Sequence, residues 1–217
     1  MKFLFSSIGQ KIQIAVSGIL LTFFLIFHLI NNLVLFSGQT AFNNMVLFLE
    51  SIKPLIRIME FGLLCVLIMH IANALYLVFL NKKAKGIQYS YNAQSDVSSL
   101  NSRTMAISGS IVLLFFIVHL SYIWYTYQIT SDHDYYNILL QNKLGFLGHT
   151  ATALFYIIAI IFISFHLKHG FNSALKTFGI GQNTKLGILY NIGIFIWGFI
   201  PLGFIFIIIA IQLGIIS

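Results

Sequence analysis

Four histidines, His28, His70, His119 and His166, stand deep in four different long apolar stretches of this 217-residue chain. A polar, titratable ring inside a bilayer is costly to hold and marks function by default. Neutral imidazole is a strong iron ligand, and two imidazoles on one haem leave no position open for oxygen. Such a centre passes electrons and does not activate substrates. Four histidines on four helices therefore predict two bis-histidine b haems in a helix bundle. The alternative for any one of them is a side chain hydrogen-bonded between helices.

The helices that must carry these histidines follow from composition. Apolar residues make up 59% of the chain and charged residues 8%, which excludes an ordinary soluble domain. A spanning helix needs about 20 apolar residues. Five stretches are long enough, at 12–36, 55–80, 105–127, 147–167 and 186–216. The expected fold is all-α, a single domain over 1–217 formed by five transmembrane helices. The first stretch is too long for a signal-peptide core and no small-residue cleavage site follows it, so it is read as a mature helix. Cys65 is the single cysteine and is read as a small buried apolar residue, with no thiolate metal site.

With the N-terminus cytoplasmic, nine lysines and arginines fall inside: Lys2, Lys11, Lys82, Lys83, Lys85, Arg103, Lys168, Lys176 and Lys185. Lys53, Arg57 and Lys143 fall outside, so the chain obeys the positive-inside rule. These basic residues flank helices and need no nucleic acid to explain them. The expected location is a membrane, with the N-terminus on the cytoplasmic side.

Depth then sorts the histidines. A helix rises about 1.5 Å per residue, which puts His28 about 24 Å and His119 about 21 Å from the inner boundary. His70 lies about 22 Å and His166 about 28 Å from the outer boundary. His28 and His119 share an outer level; His70 and His166 share an inner one. The levels differ by roughly 15–20 Å, a spacing for two haems stacked across the membrane.

Lesser features fit around this core. His133 and His149 read as surface residues of the outer loop. His169 follows His166 by one turn, toward the cytoplasmic water, where a propionate or interfacial role suits it. Tyr122, Trp124, Tyr125 and Tyr127 form an aromatic belt at the outer end of the third helix. Phe42 to Phe48 are expected along the membrane surface. A kink is expected near Pro201. The polar inner loop 81–104 carries Tyr89 and Tyr91, suited to a partner protein or to the lipid interface. Glu60, the only acid inside an apolar stretch, lies near the outer end of the second helix, where it pairs with Arg57 or serves quinone protonation.

Five motifs occur in order: SSIGQKI, FHLINNL around His28, YSYN in the inner loop, NSRTMAISG, and FHLKHGFNSALKTFG around His166. Together they resemble the dihaem cytochrome b subunit of succinate dehydrogenase/fumarate reductase, over nearly the whole chain. The likeness is to the single-anchor bacterial type that works with menaquinone. It implies axial ligation of two b haems by His28, His70, His119 and His166. It also implies a flavoprotein subunit and an iron–sulfur subunit on the cytoplasmic face, where the succinate or fumarate chemistry takes place. Electrons would pass between the iron–sulfur clusters and membrane quinone through this chain. Arg103 and Lys176 are candidates to pair with propionates near the inner level, and Glu60 is a candidate for the quinone site. Some fumarate reductases of this type carry an acid two positions before the fourth ligand. Ser164 stands there instead, which argues against a proton route along that helix. Other readings are a cytochrome b anchor of a formate dehydrogenase or hydrogenase, and, in a different class, a transporter whose histidines relay protons.

Overall fold

The computed structural model describes residues 6–84, 105–130, 133–180 and 187–217, and every element among them is helical. Five helices are long and apolar enough to cross a membrane: Ser7–Ser37, Lys53–Leu80, Ile107–Ile129, Thr150–Thr177 and Ile188–Gln212. They are called the first to fifth spans.

The first span is helix α1 (Ser7–Leu33), closed by the 3₁₀ turn Val34–Ser37. Its start is capped by Ser6, whose hydroxyl accepts the Gly9 N–H at 3.1 Å. After Gly38 the chain turns into a short helix, α2 (Gln39–Ser51). The second span opens α3 (Lys53–Ala84), with Pro54 in its first turn, where a missing N–H costs nothing. The third span joins α4 (Met105–His119), a π-helical turn (Leu120–Trp124) and α5 (Tyr125–Ile129). A small helix, α6 (Tyr135–Leu140), precedes the fourth span, α7 (Thr150–Thr177). The fifth comprises α8 (Ile188–Ile194), a second π-helical turn (Phe195–Phe199) and α9 (Ile200–Gln212).

Helix α1 packs on α3, α7 and α9, and α7 also packs on α4 and α9. Small residues let these backbones approach: Ala15 and Ser17 on α1, Ser108 on α4, and Ala153 and Ala159 on α7 are all buried. The larger buried side chains gather at one end, where Leu35, Phe42, Tyr135, Tyr136, Tyr156 and Ile208 share one cluster. This is the end expected to face outward. There α2 and α6 form a cap: the Asp134 carboxylate accepts from Asn43 (3.0 Å), Gln39 (3.0 Å) and Asn137 (2.6 Å). Those donors, Asn43 foremost, hold the Asp134 carboxyl below the usual carboxylate range.

Gly145 lies in the turn before α7 with φ +100°, a backbone state that favours glycine. A Cβ there would sit 2.1 Å from the Tyr122 ring, so only glycine lets that ring close against the turn.

Several expectations change in detail. The fourth span was expected to stop at 167; α7 runs ten residues further, because the polar tail after Leu167 keeps its helical bonding beyond the apolar stretch. Its start lies at Thr150 because Phe146 and Gly148 are held in turns, the latter bonded to the Leu139 carbonyl. Phe42 is not laid along a membrane surface: it is buried against Tyr136, while Phe48 of the same helix is exposed. Cys65 is exposed, on the open face of α3. An apolar environment explains its type equally well when that environment is lipid. His149 is half-buried at the start of α7, with Nδ1 sealed from solvent. A π-helical turn stands just before Pro201, where a kink is expected, and the Ser164 hydroxyl donates to the Trp197 carbonyl there. Proline has no N–H to return to that carbonyl, so Ser164 satisfies a group the kink would orphan.

Candidate haem centres

The fold brings His28 of α1 against His119 of α4, with ring centres 5.8 Å apart, and His70 of α3 against His166 of α7, 6.3 Å apart. These are the pairs into which depth sorts them. Two imidazoles on opposite sides of one metal, each at a metal–nitrogen distance of about 2 Å, have ring centres roughly 6 Å apart.

The outer pair is walled by aromatic rings. Phe24, one turn before His28, stacks on it at 5.3 Å and 16°. Phe204 of the fifth span closes the other side at 5.6 Å. Phe115 stacks on His119 at 5.5 Å and 22°, and the Tyr156 hydroxyl lies 3.4 Å from His119 Nδ1. The i, i+4 spacing of Phe24–His28 and Phe115–His119 is the helical period that stacks neighbours on one face.

The inner pair is set differently. His70 turns its Nδ1 edge to α1, where the Ser17 hydroxyl lies 2.9 Å away. Ser17 is fully buried and also lies 2.7 Å from the Gln13 carbonyl. Gln13 in turn accepts from Asn73, one turn beyond His70, at 3.0 Å. Both inner rings lie over glycines. A Cβ on Gly18 would meet His70 Cε1 at 3.5 Å, and one on Gly109 would meet His166 Cε1 at 3.7 Å. His166 Nδ1 is buried with no hydrogen-bond partner among the described residues.

The donor sets fit haem. Among the described residues no cluster of three or more His, Cys, Asp or Glu side chains is placed to hold a bare metal ion. A pair of histidines suits an iron whose other four ligands come from a macrocycle. Around His70, Nδ1 is engaged by α1, which leaves Nε2 uncommitted, the usual state of a metal-ligating histidine.

The other candidates separate. Arg103 lies outside the described residues. Lys176 is exposed in the last turn of α7, ten residues from His166 and so about 15 Å along the axis. It stands close enough to His169 for their charges to interact. Glu60 does pair with Arg57, at 2.5 Å, and Arg57 also bonds Gln128 of the third span. The second Glu60 oxygen accepts the Trp124 indole N–H at 3.0 Å. Trp124, read as plain belt, thus carries a specific contact, and the π-helical turn that ends on it resets the helix register there. Ser17, Gly18, Gly109 and Tyr156 were not singled out from sequence. Ser17 had a readable trace: with Gln10 and Gln13 it makes a polar row at helical spacing on an apolar helix.

Residues 12–101 match the family of the succinate dehydrogenase/fumarate reductase transmembrane subunit. The matched stretch covers about two fifths of the chain. It includes the first two spans with His28 and His70; His119 and His166 lie beyond it. No curated protein and no solved structure matches the chain. The five long apolar helices make the chain a multi-pass membrane protein.

Proposed function

We propose that this chain is the membrane anchor of a succinate dehydrogenase or fumarate reductase, that it holds two b haems, the outer on His28 and His119 and the inner on His70 and His166, and that it couples a cytoplasmic iron–sulfur subunit to membrane menaquinone. The observation that carries this reading is the pairing of four histidines into two sites on separate levels. When bound, the haems would supply one-electron transfer across the bilayer core. The protein's own residues orient the imidazoles and exclude water and oxygen from them. The flavoprotein and iron–sulfur subunits dock on the basic, cytoplasmic side. The loop suited to them, with Lys85, Tyr89 and Tyr91, falls outside the described residues. Cross-links from Lys85 or Tyr89 to an iron–sulfur subunit support that docking; cross-links from the outer loops alone oppose it.

Quinone protonation belongs at the outer end, with Glu60 as the carrier. A cavity of about 100 Å³ lies beside it, lined by Glu50, Lys53, Arg57, Glu60, Tyr127 and Gln128 among others. It is smaller than the ~150 Å³ cavity that takes one benzene, so it suits water rather than a two-ring quinone. Glu60 then stands between that water and the half-exposed Trp124, holding or passing a proton at its carboxylate oxygens.

A reduced-minus-oxidised spectrum of the purified complex tests the haems. A b-type signal removes the transporter reading, and co-purification of a flavoprotein with an iron–sulfur protein removes the formate dehydrogenase or hydrogenase reading. Glu60→Gln tests the proton role: quinone-linked turnover at the parental rate with unchanged haem content makes Glu60 purely structural.

A further inference from the structure

We infer that Ser17 is a positioning residue for the inner centre: its buried hydroxyl fixes the tautomer of His70 and raises the basicity of the nitrogen left for iron. This rests on the reading of His70 as an axial ligand.

Three observations carry it. First, Ser17 Oγ is 2.9 Å from His70 Nδ1, in a site with no solvent access to the serine. Second, the serine hydrogen has a better target than the imidazole. The Gln13 carbonyl lies 2.7 Å from Oγ, and back-bonding to the residue four before is the usual habit of a helical serine. Oγ is then free to accept. Third, the Ile14 carbonyl lies 3.1 Å from the same Oγ, a second helix acceptor for the serine hydrogen. With two helix carbonyls to take the serine hydrogen, Oγ accepts at the ring, and the Nδ1 edge carries the hydrogen. His70 is therefore Nδ1–H, with a bare lone pair on Nε2. An Nδ1–H that donates to an oxygen makes the opposite nitrogen a stronger donor to a metal. The stronger donor favours the more highly charged, oxidised ion. Two of the other candidate ligands lack this arrangement: His119 has a hydroxyl only at 3.4 Å, and His166 Nδ1 has no partner among the described residues.

The test is redox titration of the b haems in the intact complex. In Ser17→Ala we expect the inner midpoint potential to rise by about 59 mV, a tenfold change in preference between oxidation states for a one-electron couple. The outer potential stays in place. Two companion variants separate the hydrogen bond from packing. Ser17→Thr keeps the hydroxyl and keeps the parental potential. Gly18→Ala adds a methyl at ordinary contact distance from the same ring, 3.5 Å from Cε1, without touching the bond, and also keeps the parental potential. If Ser17→Ala loses the inner haem outright, retention in the two companions still supports the role, and loss in all three overturns it. Both haems present with an unmoved inner potential overturns the Ser17 role alone. No b-type signal in the parental complex overturns the haem reading and the Ser17 role together.

Discussion

The outer and inner histidine pairs use one residue type and two kinds of support. Phe24, Phe115, Phe204 and Tyr156 surround the outer pair with rings. The inner pair is tied by Ser17, with Gln13 and Asn73 behind it. Stacked rings hold an imidazole by area and shape, and tolerate loss of one polar contact. A hydroxyl holds it by one directional bond. The outer centre is thus a packed site and the inner a hydrogen-bonded one. The large buried cluster of the bundle also lies at the outer centre's end, and Tyr156, Phe115 and Phe204 belong to it or pack against it.

The comparison breaks first on the ligands themselves. His119→Ala removes one of the two imidazoles of the outer site, and about half of the haem b absorbance goes with it. His70→Ala has the same size of effect on the inner site. The spectra of the two variants should sum to that of the parent. Equal loss of both haems in either folded variant contradicts separate centres.

Gly145 sharpens the difference in support. Alanine there meets the Tyr122 ring at 2.1 Å and takes a positive φ. Overpacking of this kind costs about 1–3 kcal/mol, and the backbone strain adds to it. Because Tyr122 and the turn belong to the outer packing, Gly145→Ala should lower the unfolding temperature of the complex and loosen the outer haem before the inner one. Equal broadening of both haem signals would mean that the two sites share their support.

The sequence made the helix count, the all-α class and the grouping of the histidines legible, because each follows from a one-dimensional quantity: apolar length, charge placement, residues of rise. It did not reveal what surrounds each histidine. Ser17 lies 53 residues from His70, and Tyr156 lies 37 from His119. Such pairs depend on the rotation of each helix about its axis, and a helix apolar all round carries little record of that rotation. The π-helical turns after His119 and before Pro201 make this harder, since each adds a residue to one turn and rotates all that follows. Cys65 went astray for the same reason: its apolar setting was readable, its outward direction was not.

Alkali should separate the two ends by a smaller margin. Tyr135, buried in the α2–α6 cap, has its phenol pushed up to about 12 by burial first and then by the Glu50 carboxylate. A group whose pKa is higher folded than unfolded stabilises fully below the unfolded value, here near 10, and that contribution is lost as pH rises from about 10 to about 12. The outer cap should therefore loosen across that window, followed by tyrosinate absorbance and near-ultraviolet dichroism, with the inner haem signal steady. Tyr135→Phe should flatten the transition. An unchanged alkaline transition in that variant would assign it to other groups.

Tyr156→Phe should have the smallest effect, and it is the sharpest test of the contrast between packing and bonding. Its hydroxyl stands 3.4 Å from His119 Nδ1, against 2.9 Å for Ser17 and His70. Hydrogen bonds between such groups weaken past about 3.2 Å, so little is lost when this one goes. The ring, which meets Phe115 edge-on at 5.0 Å, remains in phenylalanine and keeps the wall intact. If the outer site is held by packing, Tyr156→Phe leaves the outer potential within a small fraction of the shift expected for Ser17→Ala at the inner one. It also leaves haem content unchanged. Tyr156→Ala opens the wall instead, at about 3–5 kcal/mol for a buried aromatic, and should cost the outer haem. Should the phenylalanine variant move the outer potential as far as the serine variant moves the inner, the hydroxyl governs both sites, and the two centres are built on one plan.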